Sequence, residues 1–205
     1  MKTLTTYITE KLKIKKSGYK YFPKTKTELK KIIINKVNEE GNDADLNDID
    51  TSEITDMSAL FNSRYLTEFC GDVSGWDVSK VTDMNHMFSE CKHFNCDLSK
   101  WNVSRVQNMV STFAICHEFE GKGLENWDVS GVQYMEGTFS YCHKLKGYEL
   151  ENWNFENVIS TIDMFYYCEE LCCDTSKWKF PNLKESIDMF EGCDKLKTLP
   201  KWYKK

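Results

Sequence analysis

The sequence has 205 residues, of which 40% are hydrophobic and 29% are charged, so it is long enough for one domain with a substantial core. The formal net charge of −5 and the lack of a nucleic-acid-binding fingerprint give no reason to expect a nucleic-acid partner. No segment approaches the roughly 18 apolar residues of a membrane-spanning helix, so no membrane span is predicted.

The N-terminus reads "MKTLTTYITEKLKIKKSGYK", and Thr, Tyr, Glu and Lys interrupt every apolar run in it. A secretory signal needs an uninterrupted apolar region after its basic start, so none is expected here. The predicted location is therefore the cytoplasm, or outside the cell after release from it. Association with a virion or with the cell surface is the alternative. Residues 1–22 are predicted to be a tail or docking segment.

Residues 23–45 are predicted to form a helical N-terminal cap. Pro23 precedes two candidate N-cap residues, Thr25 and Thr27, and Gly41 can end the helix. An apolar stripe at helical spacing consists of Leu29, Ile32, Ile33 and Val37. Such a helix would cover the open end of the structure that follows. The alternative is an amphipathic helix that binds a partner.

A repeat occupies residues 46–205. Tryptophans recur at gaps of 25, 26, 26 and 25 residues, at Trp76, Trp101, Trp127, Trp153 and Trp178. A phenylalanine lies 12 residues after each tryptophan, at Phe88, Phe113, Phe139, Phe165 and Phe190. A cysteine lies 15 residues after each, at Cys91, Cys116, Cys142, Cys168 and Cys193. With a degenerate copy before and a truncated copy after, about six repeats of 25–26 residues are expected.

The spacing within a repeat suggests its local structure. Trp-x-Val has a period of 2, which is typical of a short strand with both side chains pointing inward. In "MNHMFSEC" the apolar residues share one face of a helix, so a short α- or 3₁₀-helix is expected. These residues are Met84, Met87, Phe88 and Cys91. One unit cannot bury its own apolar face, but stacked neighbours can. The predicted fold is therefore an α/β solenoid.

The stretch "MFSECKHFNCDLSKWNVSRVQNM" resembles the repeat of BspA-like leucine-rich-repeat proteins and of Mycoplasma-type surface lipoproteins. Their shared pattern is M-F-x-x-C-x-x-F-N-x-D-L-S-x-W-D-V-S-x-V-x-x-M, and the resemblance covers residues 46–205. It implies a leucine-rich-repeat-like, right-handed coil with a parallel sheet on one face. It also implies binding to proteins or surfaces rather than catalysis.

The candidate partner-binding residues alternate with the inward Trp and Val. One column follows each tryptophan directly and another lies three residues after it, and together they give Asp77, Ser79, Asn102, Ser104, Asp128, Ser130 and Asn154. If Trp and Val point inward, these side chains face outward along the predicted sheet. Alternatively, they bond their own backbone and hold each bend.

The other columns are predicted to be structural. Tryptophan at an inward position of every repeat indicates core, with a stacking platform for carbohydrate as the alternative. The cysteine ladder spreads its thiols along the stack, whereas structural zinc needs four converging ligands. A disulfide between Cys70 and Cys96 is an open alternative to free thiols, and His117 and His143 are expected to stack on the surface. No metal and no cofactor are predicted.

The function predicted from these features is that of a non-catalytic protein-interaction module. No phosphate-binding loop, nucleophile elbow or zinc-protease motif is present, so an enzyme is not expected. One alternative is a structural or packaged component of a larger assembly such as a phage-like particle, docked through residues 1–20. The other is surface adhesion, as the resemblance implies. The partner is expected to be a protein.

Overall fold

The computed structural model describes Ile8, residues 18–197 and residues 199–203. Most of the predicted tail or docking segment, residues 1–22, lies outside these described residues. The division into three segments stays a prediction. The described chain begins with one α-helix, which packs against the first repeat, and the remaining repeats follow in order.

Helix α1 spans Lys26–Glu40. The Thr25 side chain accepts a hydrogen bond from the Glu28 N–H at 3.2 Å and caps the first turn. Gly41, with a φ of 100°, ends the helix and donates its N–H to the Val37 carbonyl at 3.0 Å. The apolar stripe faces the first repeat, because Leu29, Ile33 and Val37 are buried while Ile32 is half-buried.

A buried lysine joins α1 to the chain that follows it. Lys36 is only 4% exposed, and its ammonium lies 2.9 Å from Glu40 and 3.1 Å from Asp48. Burial opposes the charge, but hydrogen bonds to these two carboxylates outweigh it and raise the Lys36 pKa. Lys30 also reaches the first repeat and donates to the Ala59 carbonyl at 2.6 Å.

Two 3₁₀-helices, η1 (Leu124–Asn126) and η2 (Tyr148–Leu150), lie in the approach to two tryptophans. Each follows a glycine with left-handed backbone, Gly123 with φ 95° and Gly147 with φ 81°. At Gly123 a Cβ would stand 2.2 Å from the Ser99 nitrogen of the preceding repeat. Glycine is therefore required where the two repeats approach each other.

The predicted α/β solenoid with a parallel sheet on one face is wrong, and so is its leucine-rich-repeat-like description. The described residues hold one α-helix, two short 3₁₀-helices and isolated parallel bridges, with no strand and no sheet among them. The bridges are Tyr21–Ile49, Asp45–Asp72, Asp56–Asp83, Asp83–Asn108, Asn108–Tyr134, Tyr134–Ser160 and Ser160–Glu185.

The reason that no strand forms lies in the residues on either side of each bridge. A turn closed by the Val81 N–H and the Val78 carbonyl ends just before Asp83, and His86, with φ 51°, follows it. The left-handed φ ends the extended run after a single pairing. Five of the bridged residues lie seven residues after a tryptophan, whereas the strand was expected at Trp-x-Val; they are Asp83, Asn108, Tyr134, Ser160 and Glu185.

The expected short helix in the M-x-x-M-F-x-x-C segment is also absent from the described residues, which form a run of turns there. Every second N–H donates to the next repeat at 2.8–2.9 Å, and these groups belong to Met84, His86, Phe88 and Glu90. Of the N–H groups between them, those of Met87 and Ser89 bond carbonyls three residues back, at 3.0 and 3.3 Å, and that of Asn85 bonds the Asp83 side chain at 2.8 Å. Left-handed φ values at His86 and Glu90 produce this alternation.

The interior follows the repeat closely. The Trp, Phe and Cys columns are buried in every repeat. Phenylalanine rings of successive repeats stack with centroids 5.7 Å apart for Phe88 and Phe113, and 5.7 Å for Phe113 and Phe139. Trp101 and Trp127 stack at 6.2 Å. Stacked neighbours therefore bury the apolar face that a single repeat would leave exposed.

Candidate functional site

The candidate row of polar residues lies on the turn that contains the buried Trp and Val. In four of the five tryptophan-containing repeats the side chain of the residue after tryptophan accepts a hydrogen bond from the N–H two residues on. The four acceptors are Asp77, Asn102, Asp128 and Asn154, with N···O distances of 3.0, 3.1, 3.0 and 3.1 Å. All four acceptor residues are exposed, so the row presents one fixed polar group per repeat to solvent.

Two of the three serines of the row are less exposed to solvent than the acceptor residues. Ser79 and Ser130 are half-buried, and Ser104 is exposed. The Ser104 hydroxyl donates to Asn102 Oδ1 at 2.7 Å, so it is already engaged within its own turn. Six of the seven predicted residues thus form three matched pairs, and Asn154 pairs with Glu156 instead. The same side chains therefore form the turns and are the ones predicted to bind a partner.

The carboxylates of the row are stabilised in their charged form. Hydrogen bonds from Ser79 lower the Asp77 pKa, and hydrogen bonds from Ser130 lower the Asp128 pKa.

Neighbouring repeats also hold the backbone of the row in place. The Thr51 hydroxyl donates to the Asp77 carbonyl at 2.9 Å, and the Asn157 amide donates to the Ser130 carbonyl at 2.7 Å. The row is therefore pre-ordered.

The tryptophan column is core, as predicted, and does not form a stacking platform on the surface. Four of the five indole N–H groups donate to a carbonyl about one repeat earlier, for example Trp101 to Val73 at 3.1 Å and Trp127 to Leu98 at 3.2 Å. The exception is Trp178, whose buried indole nitrogen has no partner among the described residues. Trp202 continues the pattern with a bond to the Trp178 carbonyl at 3.2 Å. The indole thus supplies both bulk and a bond between repeats.

The cysteine column also joins repeats. The Cys116 thiol donates to the Phe88 carbonyl at 3.1 Å, and the Cys142 thiol donates to the Phe113 carbonyl at 3.1 Å. Burial raises the Cys91 pKa to about 12 and raises the Cys116 pKa well above its usual value. These thiols are therefore poor nucleophiles and poor metal ligands at neutral pH.

The remaining cysteines and the histidines form no site of their own. All nine cysteines are free thiols, Cys70 and Cys96 included. His117 and His143 lie side by side in adjacent repeats, as predicted, with ring centroids 4.7 Å apart. Their ring planes are tilted by 58° rather than stacked, and both residues are half-buried rather than on the surface. Within the part of the chain that the structure describes, no group of three or more His, Cys, Asp or Glu residues is placed to hold a metal ion.

A second exposed feature was not identified from the sequence. Tyr141, Tyr166 and Tyr167 form one cluster of rings at the outer bend of two adjacent repeats. The signal was available, because tyrosine occurs at these two repeat positions only here. The repeat pattern does not indicate this cluster, because the pattern is defined by residues that recur and these tyrosines depart from it.

The sequence profile of a family described as "Mycoplasma protein of unknown function, DUF285" matches residues 27–123 and 104–202. The chain belongs to this family. The match confirms the resemblance to Mycoplasma-type repeat proteins and does not extend to BspA-like leucine-rich-repeat proteins. Since the first DUF285 match begins at residue 27, it includes nearly all of α1 together with the repeats. No curated protein and no solved structure matches the chain.

The described residues also bear on the membrane prediction. None of their helices has the length and apolar character that crossing a bilayer requires.

Proposed function

We propose that this DUF285 protein is a non-catalytic protein-interaction module that contacts its partner through the row of Asp77, Asn102, Asp128 and Asn154. The observation that carries the proposal is the equivalent hydrogen bonding of these residues. One exposed polar group per repeat is held at the same place by the N–H two residues on. Pre-ordered groups lose little conformational entropy on binding, which favours recognition.

The chemistry of the row favours a partner that offers both hydrogen-bond donors and acceptors. In each acceptor residue Oδ1 accepts the bond from the turn, which leaves the other terminal atom of the side chain for a partner. That atom alternates along the row between a carboxylate oxygen, at Asp77 and Asp128, and an amide nitrogen, at Asn102 and Asn154. A protein segment with basic and polar side chains at matching intervals would complement it.

The test is affinity capture from cells of the native source, with quantitative mass spectrometry of the captured proteins. The variant Asp77→Asn/Asp128→Asn removes two charges and keeps both turns, since Asn102 and Asn154 show that asparagine fits the same geometry. We expect a protein captured by the wild type to be recovered at least about fivefold less with the double variant.

A matched control comes from another row. Asp174 accepts the Ser176 N–H at 2.9 Å in the same kind of turn, but it lies four residues before a tryptophan rather than after one. Asp174→Asn should leave capture unchanged. Equal recovery with the wild type, the double variant and the control would exclude the row as the contact surface.

The alternatives named from the sequence can be tested in the same cells. Quantification in envelope, soluble and particle fractions locates the protein, and removal of residues 1–20 tests docking through the tail. Loss of particle incorporation on removal of the tail would favour a packaged component. Enrichment in the envelope would favour the adhesion role that is implied by the resemblance to surface lipoproteins.

A further inference from the structure

The cluster of Tyr141, Tyr166 and Tyr167, named here the tyrosine patch, departs from the residues that earlier repeats hold at the same positions. Tyr141 and Tyr167 occupy equivalent positions in adjacent repeats and stack with centroids 5.4 Å apart. The Tyr166 ring meets both edge-on, at 5.5 and 4.7 Å. Tyr167 is 39% exposed, and neither of the other two tyrosines is buried.

The fold does not require tyrosine at these positions. Tyr141 and Tyr167 correspond to Glu90 and Ile115 in earlier repeats, which have the same left-handed backbone. The N–H groups at this position make the same bond to the next repeat, at 2.8 Å for Glu90 and 2.7 Å for Ile115 and Tyr141. Tyr166 corresponds to small residues, Ser89, Ala114 and Ser140. The three rings are therefore additions to a backbone that forms without them.

The next repeat supports the patch from below. A Cβ on Gly192 would stand 2.9 Å from Tyr167 Cγ, so the ring lies directly on the backbone of that glycine. Within the described chain, none of the three tyrosine hydroxyls takes part in a hydrogen bond, which leaves them available to a ligand.

Two carboxylates that have no cationic partner among the described residues act electrostatically on the tyrosine patch. Asp163 and Asp188 are equivalent residues of adjacent repeats, joined through the bond from the Asp163 N–H to the Ile187 carbonyl at 3.0 Å. Among the described residues neither forms an ion pair, whereas Glu118 and Glu170 on another column pair with lysines. Burial and the charge of Asp188 raise the Asp163 pKa, and the Tyr166 pKa is raised by burial and by charges that include both aspartates.

We propose that the tyrosine patch, together with Asp163 and Asp188, binds an arginine-bearing segment of a basic protein partner. A guanidinium group stacks on tyrosine faces through cation–π attraction and pairs with carboxylates through its fork of donors. One cation would satisfy both features at once, and the net charge of −5 adds long-range attraction for a basic partner. The surface is separate from the row of the proposed function and does not depend on it.

The test is titration calorimetry of the full chain with the peptide Gly-Arg-Gly-Arg-Gly, capped at both ends, at low salt. The control peptide carries citrulline in place of arginine, which keeps the shape and removes the charge. We expect binding of the arginine peptide to be at least about tenfold tighter than that of the citrulline peptide, and to weaken as salt is added.

Two variants locate the contact. Tyr166→Ser/Tyr167→Ile installs residue types that earlier repeats hold at the same positions, and it should weaken binding about tenfold. Asp163→Asn/Asp188→Asn should weaken it about threefold or more. Tyr65→Ser, which removes a 58% exposed tyrosine outside the patch, should leave binding unchanged. Melting curves by circular dichroism confirm that each variant is folded before its affinity is compared.

Several outcomes would overturn the proposal. These are the absence of measurable binding, equal binding of the two peptides, and loss of binding with Tyr65→Ser but not with the patch variants. Binding of a neutral oligosaccharide such as cellohexaose, lost with Tyr166→Ser/Tyr167→Ile while the arginine peptide fails to bind, would replace the proposal with a carbohydrate site.

Discussion

The repeats of residues 76–126 and those of residues 153–203 share their interior but differ in their polar features. In both, the Phe and Cys columns are buried, and a thiol of each region, Cys116 or Cys168, donates to a phenylalanine carbonyl. In the earlier repeats both indoles donate hydrogen bonds, whereas the buried Trp178 indole nitrogen has no partner among the described residues. The position after tryptophan changes from Asp77 and Asn102 to Asn154 and then Lys179.

This comparison separates what the fold demands from what it permits. The residues that contact the next repeat through the interior are retained, since each must fit the same space above and below. At one outer position the residue changes from Glu90 to Ile115 and then to tyrosine, and its N–H makes the same bond to the next repeat each time. Specific binding is therefore best sought where the outer residues change, and general stability where the inner residues do not.

The largest expected effect is on the shared interior. Phe113→Ala and Phe165→Ala should each lower the free energy of unfolding by about 3–5 kcal/mol, because both rings are fully buried and stacked on both sides. Urea denaturation followed by circular dichroism measures both. A cost for Phe165→Ala of under about half that for Phe113→Ala would mean that the later repeats are more loosely packed.

The cysteine column offers a test of local opening. At pH 8 iodoacetamide should modify Cys91 and Cys168 on the order of 100-fold more slowly than the exposed Cys70, because burial both blocks access and raises the pKa of these thiols. Mass spectrometry of peptides at timed intervals gives the rates. Fast modification of Cys168 with slow modification of Cys91 would show that the later repeats open separately. In 8 M urea all nine thiols should react.

Two buried tryptophans, Trp127 and Trp178, differ in whether the indole N–H has a hydrogen-bond partner, so replacing each one measures what that bond contributes to stability. Trp127→Phe removes the bond from the indole to the Leu98 carbonyl, whereas Trp178→Phe removes no such bond. Both indoles are buried, so the loss of packing is similar, and Trp127→Phe should cost about 1 kcal/mol more. Matched unfolding curves of the two variants measure the difference, and equal costs would mean that the indole bond adds nothing to stability.

The smallest effect concerns pH and has opposite signs at Asp128 and at Asp163. The Asp128 pKa is lowered, so its charge contributes stability above pH 3.8 that is lost as the pH falls through the folded-state pKa. The Asp163 pKa is raised, so its charge destabilises the fold above that raised pKa and not below pH 3.8. At pH 7 we expect Asp128→Asn to lower the melting temperature and Asp163→Asn to raise it, each by about 2 °C or less. Both differences should shrink as the pH falls below 3.8. Shifts of the same sign at pH 7 would contradict this account.

The period and the buried columns could be predicted from the sequence, because stacking makes equivalent residues of each repeat meet the same surroundings. Trp76, Phe88 and Cys91 are buried as their recurrence indicates. The sequence predicted Thr25 or Thr27 as the N-cap residue of α1, and Thr25 is the N-cap in the structure. A few neighbouring residues were enough to predict this helix start, because the N-terminus of a helix depends on hydrogen bonds between residues close in sequence.

The backbone of the repeat could not be predicted in the same way. The spacing of Met84, Phe88 and Cys91 suits a helix, yet His86 and Glu90 between them have left-handed φ, which neither residue type signals. The deciding factor is the next repeat, since every second N–H donates to it. For the candidate row, the sequence predicted the exposed position but could not separate turn formation from partner binding, because one side chain serves both.

The alternating bonds between repeats also have a mechanical consequence. They run along the stacking direction, and the described chain passes through the repeats in order, from α1 at one end to Trp202 at the other. A force that separates the two ends would load these bonds one repeat at a time rather than all at once. Each repeat of 25–26 residues would then extend by roughly 80 Å as it yields. The molecule should lengthen in even steps under tension, as a chain of similar links does.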